Sequence, residues 1–385
     1  MALVNEELLS IEANHAVYLQ RLASGLGNDA VPFIDSMQVK IDARINREVG
    51  KNLTANRREK LLKDINSIVK EELSAYTKEL SVGNLDLGQY EAQFQGRAIS
   101  SVYPSVEPVV VTRSAIKTAA NNTLIKLGDG SYTSYNQMLS TYTSTNAQQI
   151  TNIVANGFTS GMTTRDIAKQ VMDEVDNRVV KTKKEAKMIA RTGSTHYANQ
   201  AKKAYFSDEP VVIGTQNISV MDSSTSDYCR GIDLRITLKT DANYNKAFAP
   251  FHRGCRGSNA PVVDPKIAGD DGSGQRPENF RDVESGLLDP STTSSKNIYY
   301  DGMGKIDAKS QDAILGPTLG KAYRKGIRDG TLTPESFARL TIDDVNVRGL
   351  TLKEMIKKDN ALSKILVSQN KGKSNYAGRV IAGKQ

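Results

Sequence analysis

The sequence predicts an α+β protein, mainly α, with long N-terminal helices, a small mixed α/β module and a C-terminal helical and extended tail. Three observations carry that expectation. Apolar residues recur at three- and four-residue steps through most of the first 205 residues, the period of a helix with one buried stripe. Short runs of β-type composition cluster between 211 and 238. A chain of 385 residues with 38% apolar content and a mean hydropathy of −0.44 is lean but long enough for two or three cores. No run of 18 apolar residues occurs, so no membrane helix is expected. The start, Met1-Ala2-Leu3-Val4-Asn5, lacks the layout of a signal peptide, and two cysteines cannot make a disulfide scaffold. An intracellular, soluble protein is the expectation.

The first region, 1–110, is read as a helical docking region. Ile34, Met37, Ile41, Ile45 and Val49 form one stripe; Leu61, Ile65, Ile68, Leu73, Tyr76 and Leu80 form another. Gly83 and Gly88 interrupt it, and Tyr103-Pro104 to Glu107-Pro108 marks a boundary. A connector over 111–156 follows, with polar helices near 113–127 and 134–156. Its Thr/Ser/Asn-rich part has few large apolar residues and reads as a packing or partner-facing helix.

The next region, 157–263, is read as an α+β module. Gly157 to Thr164 turns into a helix that Thr163 or Thr164 can cap, with Asp166 in its first turn. Ile167, Val171, Met172 and Val175 share one side of that helix, and a separate basic helix is expected over 179–206. Strands are expected at 211–214, 218–221 and 234–238. The Gly/Asp/Ser/Pro-rich stretch 264–305 reads as a long loop. Short helices near 308–314 and 318–329 occupy a region at 306–345, and 346–385 reads as a basic tail. Residues 346–385 and 1–30 are expected to make most of their contacts with other chains, because the tail offers little to bury.

The net charge of +8 is uneven. Eight basic residues stand against Glu185 alone between Arg178 and Lys203, and nine stand against Glu354 and Asp359 from Asn346 onward. Lys181, Lys184, Lys187 and Arg191 fall at helical steps on one face. Such a face suits nucleic acid or an acidic partner surface; a solvated face is the plain alternative.

The motifs lie between 157 and 263. Gly157-Phe158-Thr159-Ser160-Gly161-Met162-Thr163-Thr164 precedes Ala190-Arg191-Thr192-Gly193-Ser194. Then come Asp222-Ser223-Ser224-Thr225-Ser226-Asp227-Tyr228-Cys229-Arg230 and Pro250-Phe251-His252-Arg253-Gly254-Cys255-Arg256. Further on stand Gln311, Leu315-Gly316, Tyr323 and Gly326. In this order the series resembles the phage head morphogenesis family, the phage Mu protein F-like minor head proteins, over about 157–330. Three features depart from the family pattern: Ile232 stands where many relatives have a second cysteine, Gly257 where many end in Cys-Arg-Cys, and Ile232-Asp233-Leu234-Arg235 continues where relatives usually have a glycine. The four-ligand metal site that the resemblance implies is therefore incomplete.

On their own chemistry, Cys229, His252 and Cys255 offer two thiols and an imidazole, with Asp222, Asp227 or water as a fourth zinc ligand. A disulfide, or plain packing of the thiols with His252 bonding backbone, are the alternatives, and packing is preferred, so no cofactor is expected. Asp222, Ser224 and Thr225 read as a turn whose side chains bond nearby N–H groups, with Arg256 bridging to Asp222. Three histidines, no phosphate-binding loop and no His-Glu-x-x-His leave little material for an enzyme. Ser224-Thr225-Ser226 is similar to the Ser-Thr-Ser of ADP-ribosyltransferase toxins, but no Glu-x-Glu follows.

The resemblance implies a non-enzymatic minor head protein inside a tailed-phage capsid, assembled in the host cytoplasm. It would act in head assembly and genome packaging or delivery. Its partners would be the portal protein, the major capsid or other head proteins, packaged double-stranded DNA and copies of itself, with no membrane. The rivals are a DNA-binding internal protein ejected with the genome and a toxin-like transferase.

Overall fold

The computed structural model describes residues 6–52, 54–127, 131–157, 164–267, 274–281 and 288–383. Helices α1 (Glu6–Asn28) and α2 (Ala30–Asn46) lead to α3 (Ala55–Val102), whose 48 residues span about 72 Å. Thr54 caps α3 by accepting the Arg57 N–H. On α2, Ile34, Met37, Ile41 and Ile45 are wholly buried, facing Leu61, Ile65, Val69, Leu73 and Tyr76 of α3 in one core. Val69 takes the buried place that the spacing gave to Ile68, which is half-buried.

Gly83 and Gly88 do not interrupt α3. They let other helices approach it. A Cβ on Gly83 would lie 2.7 Å from a Leu26 methyl, and one on Gly88 would lie 2.9 Å from Ile116. Packing supplies what the glycines cost in propensity.

Short α4 (Arg113–Asn122) and the two-residue pair β1 (Ile125–Lys126) and β2 (Tyr132–Thr133) precede α5 (Tyr135–Gly157). Tyr135, Tyr142, Ile150 and Val154 bury α5 against α3 and α6 of the same chain. The first region and the connector therefore form one bundle core, and residues 6–30 pack within their own chain. Leu8, Leu9 and Ala13 of α1 are buried.

The 157–164 turn falls largely outside the described residues. The two helices expected after it are one, α6 (Thr164–Asp208). Val171, Val175, Val179, Thr182, Ala186 and Ile189 continue a single buried stripe through the charged stretch that suggested a break.

Past α6 the chain forms β3 (Val212–Ile218), β4 (Met221–Asp222), α7 (Asp227–Ile232), β5 (Ile236–Leu238) and β6 (Ser258–Val263). The order β5-β3-β6 is antiparallel throughout, with Thr215 opposite Thr237 on one side and Pro261 on the other. The stretch 264–305 is not a loop. It carries β7 (Gln275–Arg281), β8 (Leu288–Ser294) and α8 (Tyr299–Met303). The β7–β8 hairpin pairs with β4, in parallel through β7. Its polar sequence misled because Arg276 and Glu278 are buried and paired: Arg276 donates to the buried Asp233 carboxylate, and Glu278 accepts from Ser291 and Lys305.

Helices α9 (Ala308–Leu315), α10 (Pro317–Arg328) and α11 (Pro334–Leu340), the pair β9 (Ile342–Asp343) and β10 (Arg348–Gly349), and α12 (Leu352–Lys357), α13 (Ala361–Asn370) and α14 (Tyr376–Ile381) complete the chain. The tail is not left for other chains. Leu362 and Leu366 of α13 are fully buried in a core with Tyr300, Tyr323 and Phe337, whose rings meet edge-on near 5.1 Å. Among the described residues, no helix is long and apolar enough to cross a membrane.

Candidate metal centre and its supporting turn

The Asp222–Arg230 turn starts at the end of β4. Asp222 Oδ1 accepts the Ser224 N–H at 2.9 Å, and the Thr225 hydroxyl donates to the Val220 carbonyl. Arg256 closes on this turn from the loop before β6. Its guanidinium meets both Asp222 oxygens, at 2.6 Å for Nη2–Oδ1, and also donates to Thr225 Oγ1 at 3.4 Å. Both side chains are mostly buried, so the fork-on-carboxylate pairing is only weakly screened. The structure thus brings Asp222, Thr225 and Arg256 into one contact.

Ser226 then caps α7, which carries Cys229 inward. The Phe251–Arg256 loop brings His252 and Cys255 to it. Gly254 adopts φ +75, a left-handed turn suited to glycine, and donates its N–H to Thr192 Oγ1 at 2.9 Å. Thr195 donates to the Cys255 carbonyl at 2.8 Å. The Ala-Arg-Thr-Gly-Ser stretch of α6 is therefore a clamp. Its Gly193 has no room for a Cβ beside the Tyr135 hydroxyl, and Ser194 donates to Asn84 Oδ1 at 3.0 Å.

The ligand atoms of Cys229, His252 and Cys255 all lie within 4.8 Å of one another, the one such cluster found among the described residues. The two Sγ atoms are 3.8 Å apart, and Cys229 Sγ is 3.3 Å from His252 Nε2. Two sulfurs held about 2.3 Å from a tetrahedral zinc would be about 3.8 Å apart. His252 Nδ1 lies 3.0 Å from the Arg253 carbonyl, the outer bond that leaves Nε2 free for a metal. The Gly257 N–H points at Cys255 Sγ at 3.4 Å. The residues fit zinc as three ligands, and a bound zinc would supply a structural cross-link.

The aspartates expected as fourth ligands are engaged elsewhere: Asp222 by Arg256, and Asp227 by Arg230. The nearest oxygen is Ser226 Oγ, 2.8 Å from Nε2. The two cysteines are free thiols rather than a disulfide.

Charge in the metal-free cluster is polarised. The hydrogen bond from Cys229 and the nearby imidazole, opposed by burial, hold Cys255 well below the usual thiol range. The bond to Cys255 and burial push Cys229 up. Burial would depress His252, but Cys255 lifts it to about 9. A thiolate–imidazolium pair is the chemistry of a nucleophile, yet Cys255 is wholly buried and Cys229 is 4% exposed. No substrate reaches a sulfur placed that way.

Sequence reasoning missed several partners. Arg230 donates to the Thr225 carbonyl at 2.5 Å and lies over the Tyr299 ring. Arg276 and Asp233 pair at 2.6 Å, fully buried, 43 residues apart. Lys202, counted with the basic stretch, is also buried, bonding Glu12 at 2.7 Å and the Asn259 carbonyl at 2.9 Å. Only their three-dimensional partners reveal these charges as internal.

The basic face is not uniform. Lys181, Lys184 and Lys187 are exposed with no carboxylate partner among the described residues. Arg191 turns toward the motif, where burial and then Arg256 lower its pKa while Asp222 opposes them.

Every residue of the turn and the cluster lies inside one stretch that can be compared with known families. Residues 148–260 match the model of the phage Mu protein F like family. The match runs from α5 through β6 and stops short of the 311–326 helices that the resemblance included. No curated protein and no solved structure matches the chain. Over this segment the chain is similar to the phage Mu protein F like family, and the motif residues there cross-link α6, α7 and the loop before β6.

Proposed function

We propose that the protein is a minor head protein of a tailed phage, inside the capsid and bound to the portal, acting in head assembly and in packaging or delivery of the genome. The family match over 148–260 carries this reading. The motif residues support it, because they serve as bonds between elements and both thiols are buried. The role is structural rather than enzymatic. Other head proteins and copies of itself are further partners.

The exposed Lys181, Lys184 and Lys187 present three cations at one-turn intervals to an acidic portal surface. Replacing all three with Glu should cut capture of the protein by purified portal rings at least tenfold near 50 mM salt, and less near 500 mM. Equal capture of variant and wild type at both salt levels would remove this face from docking.

A further inference from the structure

Helix α10 and the turn joining α13 to α14 enclose an open groove of about 520 Å³. Lys321, Arg324, Lys325, Arg328 and Lys373 line it, and no Asp or Glu does. The four on α10 recur at three-, one- and three-residue steps, so they share a strip about 10 Å long. Arg324 is anchored by Asp312 at 2.8 Å and by Gln311 at 3.1 Å, and Lys325 is paired with Asp329. Lys321 and Lys373, on opposite walls, have no carboxylate partner among the described residues, and Arg328, 74% exposed, meets Asp329 at 3.2 Å through Nε alone. Gln369 ties the walls together by donating to the Lys321 carbonyl at 3.3 Å. Around the groove, residues 317–383 carry thirteen Lys or Arg against six Asp or Glu.

A single small anion would need two or three converging donors, not a strip of cations inside a wider positive field. The strip matches a polyanion with closely spaced charges. Double-stranded DNA presents one phosphate per ~1.7 Å of axis, so each cation in the groove finds one. Among the described residues no aromatic side chain lines the groove, so the contact is to backbone and is indifferent to sequence.

We propose that this groove binds the phosphate backbone of double-stranded DNA. The choice of DNA over an acidic polypeptide rests on the head-interior reading above. The site differs from the α6 lysine face and lies outside the family-matched segment.

The test uses the full chain and a labelled 30-base-pair duplex, titrated between about 50 and 200 mM salt. The variant Lys321→Gln/Arg328→Gln/Lys373→Gln changes only exposed side chains, and its melting temperature checks the fold. Lys60→Gln/Lys63→Gln/Lys70→Gln on the exposed side of α3 makes the same charge change elsewhere. The groove variant should lose roughly tenfold in affinity near 100 mM salt, and its salt slope should fall by about 0.9 per cation removed. The α3 variant should keep both. Equal loss in the two variants, no loss in the groove variant, or polyglutamate competing as well as duplex at equal charge would overturn the proposal. A protein found in heads that ignores duplex DNA defeats the groove alone; one that binds DNA through the groove but is absent from heads defeats only the head reading.

Discussion

Cys255 is held from four directions: its N–H bonds the His252 carbonyl, its carbonyl accepts from Thr195, and its sulfur meets Cys229 and the Gly257 N–H. A sulfur this constrained, beside a second thiol and an imidazole with an outer carbonyl partner, is arranged as a metal ligand. Protein made with zinc present should retain about one zinc per chain. Chelation should lower its melting temperature by several degrees, and Cys229→Ser should abolish both the zinc and the chelator effect. Zinc-free protein that melts identically with and without chelator would return the trio to hydrogen-bonded packing. At this scale the sequence was informative about identity and poor about partners. Cys229 and the His252-x-x-Cys255 spacing named the cluster, and the sequence also offered Arg256 as the partner of the Asp222 turn. Thr192 stood in the motif series without revealing its partner, and Thr195 carried no signal, because a threonine that bonds a loop 60 residues away looks like any other helix threonine.

Helices α12 and α13 show how an element can mislead when read alone. The tail has little apolar content, yet its few apolar side chains are spent on one side: Leu362 and Leu366 are fully buried, and Met355 of α12 is 3% exposed. Burying three such side chains contributes roughly 5–9 kcal/mol. Deleting 346–385 should therefore uncover Phe337 and Tyr323 and leave a protein that aggregates or melts well below the wild type. A truncated chain with an unchanged melting curve would show that α12–α14 are dispensable to the core. The long helices were legible because their stripes repeat over many turns. The break expected inside α6 and the loop expected at 264–305 failed for one reason: charged and polar residues there have internal partners. Arg178 meets Glu185 at 2.8 Å and Arg276 meets Asp233, so polarity did not mean exposure.

In the whole molecule, one bundle built from α1 to α6 carries a small β module, and the C-terminal helices pack on that module through α7 and α8. The family-matched segment is the middle of this arrangement, so its motif turn sits between two cores rather than at an exposed tip. Buried charge reinforces the join: Lys202 of α6 links Glu12 of α1, Glu91 of α3 and the β6 backbone. Such pairs add little net stability against their desolvation cost, but removing one partner leaves a buried charge. This layout suits a part that must keep its shape while surfaces on either side engage a partner and DNA. The measurement that bears most directly on it is quantitative mass spectrometry with cryo-EM of mature particles and of emptied ghosts. The account predicts the protein in mature heads at fixed copy number, with density at the portal on the capsid's inner side. Particles that assemble, package DNA and infect without containing the protein would contradict it.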